Sequence, residues 1–384
     1  MAACSAPEIA IRPRVLIAED QSEVIEAIRL VLKQEGIDCH AVTSPDAALA
    51  ALSSQNIDLV LMDLNYTRDT TSGTEGLDLL RHVQQMNSRA PVIVMTAWGS
   101  VEVAVEAMRR GAVDFIQKPW DNWRLLGLVR NQMERRQQLL RAENEREREM
   151  REAEEIQKRL LPRRINDIPG LDIAADWKPA RTLGGDYFDV LHFGDGSVGL
   201  CIADVEGKGV PAALVMSNLQ SAVKAFATSG VEPKELCRLL NSIFCEHVQA
   251  ERFISLFYGW LDPATRVLTY TNAGHCPPVL MHAGGKTEKL ECGGAVLGQL
   301  PGWEYEQCAV TLNERDVLVL FTDGVTEAEN EIGEEFGEER LAGCVRGCSE
   351  AGAAGLQREL LARVAEHCKN RFHDDATLMI VAVK

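Results

Sequence analysis

Residues 15–20 read VLIAED, 59–65 LVLMDLN, 92–98 VIVMTAW and 114–120 DFIQKPW. Each is a short run of apolar, mostly branched residues that stops at a polar or charged one. Strands apolar at every position belong to a sheet covered on both faces. A weaker apolar run lies at 39–42. Helical patterns separate the runs at 24–35, 45–54, 77–85 and 101–110. Gly36 and Gly111 follow helical patterns, where a left-handed cap is expected. This alternation predicts an α/β domain over residues 12–122, a doubly wound parallel sheet of flavodoxin-like type.

The residues that stop the runs carry chemistry. Glu19 and Asp20 end the first run, Asp63 the third and Thr96 the fourth, and Lys118 follows the last. The C-terminal strand edge is where an open parallel sheet binds ligands. Three carboxylates converging there repel one another unless a cation lies among them, and all-oxygen ligands favour Mg²⁺. Asp63 is placed to attack phosphorus as a carboxylate nucleophile. Lys118 supplies charge and Thr96 a hydroxyl for the new phosphoryl group. Pro119 shapes the loop that holds Lys118, with a cis bond as one option.

Residues 123–164 read as a helical linker. The stretch 131–159 contains no Gly or Pro and is dense in Glu, Arg and Gln. Leu126, Val129, Met133 and Leu140 follow a 3–4 spacing, which Ala153, Ile156 and Leu160 resume after a phase break. Two readings stand: a solvated single helix, or a coiled coil that pairs two copies of the chain. Pro162 and Pro169 end the segment.

Residues 165–384 change pattern again. Strand-like runs occur at 171–177, 198–203, 253–261, 267–271, 317–321 and 377–383. Helical blocks occur at 211–227, 233–248, 339–345 and 355–367. Grouped strands and grouped helices predict an α+β layered sandwich, sheets stacked with helices outside. The chain is thus expected to be multidomain.

Four strings in this region place an aspartate at the edge of an apolar run: LGGDYFDV (Asp186), IADVEGKGVPAAL (Asp204), LFTDGVTEA (Asp323) and HDDATLMIV (Asp374). Any one alone reads as an ordinary turn. Four in one acidic domain predict a site for hard cations rather than a thiolate zinc site. Two such ions would clamp a phosphate and lower the pKa of a water between them. Asp375 is a candidate supporting residue, and Asp189 reads as a surface turn residue. His275, in the turn GHCPP, reads as structural. The seven glutamates of 327–339 read as a solvated loop.

Composition narrows the classes. The 384-residue chain has 46% apolar residues and a formal net charge of −17. Both ends are acidic and only the linker is slightly basic. A nucleic-acid binder needs a concentrated basic surface, so DNA or RNA is not an expected partner. No apolar run is long enough to span a bilayer, and residues 1–14 lack a secretory pattern. The 11 cysteines are scattered without a CxxC pair. Cys201 and Cys308 sit in apolar runs and read as small buried hydrophobes, which together with the odd count suits reduced thiols and a cytoplasmic location.

The first four strings, in order, resemble the receiver domain of bacterial response regulators over about residues 12–122. The resemblance implies Asp63 as phospho-acceptor and one Mg²⁺ held by Glu19, Asp20, Asp63 and the backbone carbonyl of Asn65. It makes Thr96 and Phe115 the switch pair beside Lys118, and a sensor histidine kinase or small phosphodonor the partner. The loop 65–74 is longer and more polar than the usual one. The second four strings, with IQKRLLP at 156–162 and NAGHCPPVL at 272–280, resemble the PPM (2C-type) serine/threonine phosphatases in their SpoIIE/RsbU-like branch. That resemblance implies two Mn²⁺ or Mg²⁺ ions, with Asp204 bridging them. The carbonyl of Val205 and the carboxylates of Asp186, Asp323 and Asp374 complete the set. A phosphate-binding arginine of eukaryotic relatives has no clear match; Arg181 and Lys208 are the candidates. The implied substrate is phosphoserine or phosphothreonine on a partner protein, commonly an anti-sigma-factor antagonist of the STAS type. A catalytically idle binding module is the alternative, and retention of all four aspartates weighs against it.

Overall fold

The computed structural model describes residues 12–66, 74–86, 90–96, 101–162, 164–165, 167–247, 252–347 and 352–384. The chain divides into two compact units, Met1–Glu147 and Arg148–Lys384.

The first unit runs β1 (Arg14–Ala18), α1 (Ser22–Gln34), β2 (Asp38–Val42), α2 (Pro45–Ser54), β3 (Leu59–Asp63), α3 (Thr74–Gln85), β4 (Val92–Thr96), α4 (Val101–Arg109) and β5 (Asp114–Gln117). Helix α5 (Asn122–Leu160) follows, and the division between the units falls within it. The five strands form one sheet in the order β2-β1-β3-β4-β5, and every pair is parallel. Strand alternation sorts the side chains to two cores. Leu16, Val60, Met62 and Val94 pack toward α2 and α3. Val15, Ile17, Leu61 and Ile93 pack against α1 and the first turns of α5, where Leu125 and Val129 are buried. Ser44 caps α2 by accepting from the Ala47 N–H at 3.3 Å, with Pro45 in the first turn. Gly36 and Gly111 take the expected left-handed conformation. The order reverses between β1 and β3, which opens a crevice at their C-terminal ends.

The second unit contains the end of α5, then β6 (Leu171–Lys178), β7 (Tyr187–His192), β8 (Val198–Val205), α6 (Val210–Phe226), α7 (Pro233–His247), β9 (Ile254–Asp262) and β10 (Val267–Ala273). It continues with β11 (Val279–Met281), β12 (Thr287–Lys289), β13 (Gly293–Gly294), β14 (Cys308–Thr311), β15 (Val317–Phe321), α8 (Asp323–Thr326), α9 (Gly337–Gly347), α10 (Gly352–His367) and β16 (Ala376–Val383). One sheet has the order β13-β10-β9-β8-β7, with β14 also on β10; the other is β12-β11-β15-β16-β6. Residues of β16 alternate between two cores. Met379 and Val381 join Leu200, Ile202 and Phe257 between the sheets, whereas Leu378 and Ile380 pack under α9 and α10. Helices α6 and α7 add Met216, Leu219, Leu240 and Phe244 to the first core. The layered α+β expectation therefore holds.

Four expectations need correction. Asp189 is no surface turn residue: it lies in β7, 3% exposed, bonded to the Tyr187 hydroxyl at 3.0 Å and paired with Lys224 at 3.3 Å. Cys308 is not a buried hydrophobe: it is exposed on the short strand β14 and disulfide-bonded to Cys292, against the expectation of reduced thiols. Asp323 opens a short helix rather than ending a strand, and Asp374 stands just before β16. Strand β7 was not legible because its apolar residues follow the Gly pair and are interrupted by Asp189. Cys201 is buried as expected. Most of the long polar loop, 67–73, lies outside the described residues. Among the described residues, no helix is long and apolar enough to cross a membrane.

Candidate active site

Two carboxylate clusters occur, one in each unit. In the first, Glu19 and Asp20 follow β1 and Asp63 ends β3, on the two sides of the crevice. One oxygen from each lies within 4.8 Å of the others. Lys118 Nζ donates to Glu19 Oε2 at 2.6 Å and to Asp63 Oδ2 at 2.9 Å. The Lys118–Pro119 bond is cis. Burial is the main cause raising the Glu19 carboxyl to about 7, and it also raises Asp63, against the pull of Lys118 on both. Asp20 Oδ1 and Asp63 Oδ1 are buried without a hydrogen-bond partner. Unpaired buried carboxylate oxygens facing a shared space fit a small hard cation. Thr96 is buried at the end of β4, its carbonyl accepting from the Lys118 N–H at 2.8 Å. Phe115 is partly buried against the α2–α3 side. Tyr66, not singled out in the sequence, lies under the cluster; its hydroxyl donates to the Ala18 carbonyl at 3.2 Å.

The second cluster gathers the four predicted aspartates at one edge of the sandwich. Asp186 is fully enclosed. Its Oδ2 accepts from the Thr322 hydroxyl at 2.8 Å and the Thr377 hydroxyl at 2.5 Å. The carboxyl of Asp204, at the end of β8, lies beside it. Burial first, then the charges of Asp323 and Asp374, push Asp204 up to about 7. Burial first, then Glu327 and Asp374, push Asp323 up to about 6. Burial and the neighbouring Asp204 raise Asp186 well above the carboxylate range. Carboxyl groups this close hold a proton between them unless cations take its place. The donor set thus fits hard divalent ions. It is more open than the first: among the described residues, only Glu19, Asp20 and Asp63 bring three ligand atoms within 4.8 Å.

The Gly184–Gly185 pair makes the cluster possible. A Cβ at Gly184 would lie 2.2 Å from Asp375 Oδ2, and one at Gly185 would lie 2.7 Å from the Val205 carbonyl oxygen. The Val205 carbonyl therefore lies against Gly185, next to Asp186. Asp375 ties the loop down: its Oδ1 accepts from Ala180 N at 2.7 Å and its Oδ2 from Gly185 N at 2.6 Å. Asp375 thus supports the loop that presents Asp186. From the other side Gln157, buried near the end of α5, donates to the Gly184 carbonyl at 2.7 Å and accepts from Gly184 N at 3.1 Å. Neither the loop-anchoring geometry of Asp375 nor the role of Gln157 was legible, since each bond joins residues remote in sequence.

The two candidate phosphate-binding cations differ. Lys208 Nζ is engaged, paired with Asp374 Oδ2 at 2.7 Å and donating to the His373 carbonyl. Arg181 is exposed, with Nη1 3.9 Å from the position of a Cβ on Gly209. His275 is a turn residue as expected. Its N–H donates to Asn272 Oδ1 at 2.7 Å, Nδ1 lies 2.7 Å from Ser255 Oγ, and burial lowers the ring to about 4.

These folds agree with comparisons to known proteins. A model for stage II sporulation protein E (SpoIIE) matches residues 194–384, and a response regulator receiver domain model matches residues 15–130. Phosphoserine phosphatase RsbU of Bacillus subtilis is 32% identical over 240 residues, covering 60% of this chain and 69% of RsbU. Protein IcfG of Synechocystis sp. is 29% identical over 221 residues, but these span 50% of this chain and 35% of IcfG. The SiaA-PP2C domain of Pseudomonas aeruginosa shares the fold, with a TM-score of 0.56 at 22% identity, covering 63% of this chain and 99% of that domain. A receiver domain followed by a PP2C-type domain is the class defined. The chain belongs to the SpoIIE/RsbU family of metal-dependent serine/threonine phosphatases.

Proposed function

We propose that the chain is a response regulator whose output is removal of phosphate from phosphoserine or phosphothreonine of a partner protein, under control of phosphorylation at Asp63. The observation that carries this is buried Asp186, held by Thr322 and Thr377, with Asp204, Asp323 and Asp374 gathered beside it. In this reading Asp186, Asp204, Asp323, Asp374 and the Val205 carbonyl hold two Mn²⁺ or Mg²⁺ ions. When bound, such ions supply Lewis-acid charge to a phosphoryl group and activate water at neutral pH. The residues around them prepare the site. The two threonine hydroxyls fix the rotamer of Asp186, Asp375 and Gln157 fix the loop in front of it, and Lys208 orients Asp374.

Glu19, Asp20, Asp63 and the Asn65 carbonyl hold one Mg²⁺ in the same reading, and a histidine kinase or small phosphodonor supplies the phosphoryl group. Lys118 already touches Asp63 Oδ2, where it meets the charge of an acyl phosphate. Thr96 and Phe115 respond to it as the switch pair. Exposed Leu139 and Ile156 on α5 support pairing of two linkers. RsbU is named a phosphoserine phosphatase; a phosphorylated STAS-type antagonist is the substrate proposed here.

Hydrolysis of p-nitrophenyl phosphate by the full chain tests the reading. Activity is expected to require Mn²⁺ or Mg²⁺ and to vanish in Asp323→Asn. A small phosphodonor is expected to change turnover in the wild type but not in Asp63→Ala. Equal turnover with and without the donor removes regulation, and metal-independent hydrolysis removes the assigned site.

A further inference from the structure

We propose that His275 is a positioning residue of the phosphatase site, which through Ser255 sets the spacing between Asp204 on one sheet and Asp323 beside the other. This rests on the two-ion reading above and names what holds the two halves of that site in register.

The topology puts His275 at a junction. Asp204 lies at the end of β8 in one sheet, and Asp323 follows β15 in the other. Residues 274–278 carry the chain from β10 of the first sheet to β11 of the second. Asn272 fixes the start of this crossing. Its Oδ1 accepts from the His275 N–H at 2.7 Å, and its Nδ2 donates to the His275 carbonyl at 3.0 Å. With its backbone so held, His275 is buried, 4% exposed. Its Nδ1 lies 2.7 Å from Ser255 Oγ. Ser255 stands on β9 directly opposite Asp204, and opposite residues of an antiparallel pair share one face of the sheet. The Phe321 backbone, in β15, is close enough to oppose the effect of burial on the ring. The next residue, Cys276, packs with Phe321 and Val325 on the second sheet. There burial first, then Asp323, Glu327 and Asp204, raise its thiol. One crossing therefore touches both ligand-bearing edges.

Simple packing does not account for this histidine. An imidazole costs free energy to bury unless its nitrogens are bonded, and among the described residues Nε2 has no hydrogen-bond partner. An apolar side chain would fill the space without that cost. What the ring adds is the bond to Ser255. Asp186 makes a similar tie on the same edge, from its loop before β7 to Thr322 after β15 and Thr377 in β16. With both ties in place Asp204 and Asp323 keep a fixed separation. Without the His275 tie the site loosens and metal binding weakens.

Mn²⁺ binding by the full chain is measured together with p-nitrophenyl phosphate turnover over a range of Mn²⁺ concentrations. The phosphatase-unit ions are those that Asp204→Asn loses. His275→Ala is expected to weaken them about tenfold or more, the loss that supporting groups around a metal ligand produce, and to leave the receiver ion unchanged. Turnover at saturating Mn²⁺ falls by less than the affinity does. His275→Asn, which returns a polar group near the Nδ1 position, restores part of the binding. Ser255→Ala acts in the same direction, and the double variant is no worse than His275→Ala, because the two side chains act as one unit. If His275→Ala does not fold, Ser255→Ala replaces it in the binding measurement. Affinity for the phosphatase-unit ions within about twofold of wild type in the folded variant overturns the proposal, as do additive losses in the double variant. The two failures are separable. A wild type that binds only the receiver ion loses the two-ion reading, and this assignment with it. A wild type that binds all the ions, with His275→Ala unchanged, loses only this assignment.

Discussion

The two acidic clusters meet the same repulsion in different ways. In the receiver unit three carboxylates converge tightly and a lysine shares the charge, with Lys118 bridging Glu19 and Asp63. In the phosphatase unit the aspartates stand further apart. Mostly neutral groups support them: hydroxyls on Asp186, and backbone N–H groups on Asp375, which braces the loop from behind, with Lys208 paired only to Asp374. The first arrangement leaves room for one small ion and one reactive carboxylate. The second spreads its carboxylates more widely, which suits the two ions proposed for it. A lysine fixed on the nucleophile suits a group that must become phosphorylated. A largely neutral scaffold around Asp186 and Asp204 suits the metal-ligand role proposed for them.

That difference can be broken at its strongest point first. Asp204→Asn removes the proposed central ligand of the wider cluster and is expected to cost more than about 100-fold in hydrolysis, beyond the usual loss from a supporting residue. Asp375→Ala removes only the brace; release of phosphate is expected to fall about 10- to 100-fold, with weaker metal affinity measured in parallel. Gln157→Ala frees the other side of Gly184 and is expected to cost about tenfold at most, read as turnover of p-nitrophenyl phosphate. An unchanged rate in Asp375→Ala would detach the scaffold from the site.

A third buried carboxylate sharpens the contrast because its polar partners are all in place. Asp316, 1% exposed, accepts from Ala283 N at 3.1 Å and Asn313 N at 2.9 Å, and pairs with His282 Nδ1 at 3.0 Å. Burial raises its pKa, but these bonds outweigh burial and the carboxyl lies below its usual range. Its stabilising contribution is therefore present above the unfolded carboxylate pKa and is lost as pH falls through the folded value. Asp316→Ala is expected to destabilise the unit by about 1–3 kcal/mol. Melting of wild type and variant should converge in acid; a constant gap across pH would reject the assignment.

Much of this was legible in sequence because it is local. Apolar runs bounded by Asp20, Asp63, Asp204 and Asp374 mark strand edges, and a carboxylate at a strand edge is visible without a structure. What escaped was set by pairing between distant segments. Gln157 meets Gly184 and Asp375 meets Gly185 only once the sheets are assembled. Asp189 was misread because a charged residue inside a strand looks like a turn until Tyr187 and Lys224 are seen to satisfy it. Cys292 stands just before β13 and Cys308 opens β14, two strands that meet the same edge of β10, so their pairing was equally hidden.

Equilibrium binding of Mn²⁺, followed by the free-ion spin-resonance signal, compares the two clusters directly in one protein. The full chain should bind about three ions, one in the receiver and two in the phosphatase unit. Asp63→Asn should weaken one of them, and Asp204→Asn should weaken the other pair while sparing the first. Unchanged Mn²⁺ binding in Asp204→Asn would contradict the assignment of the tail-half aspartates as metal ligands.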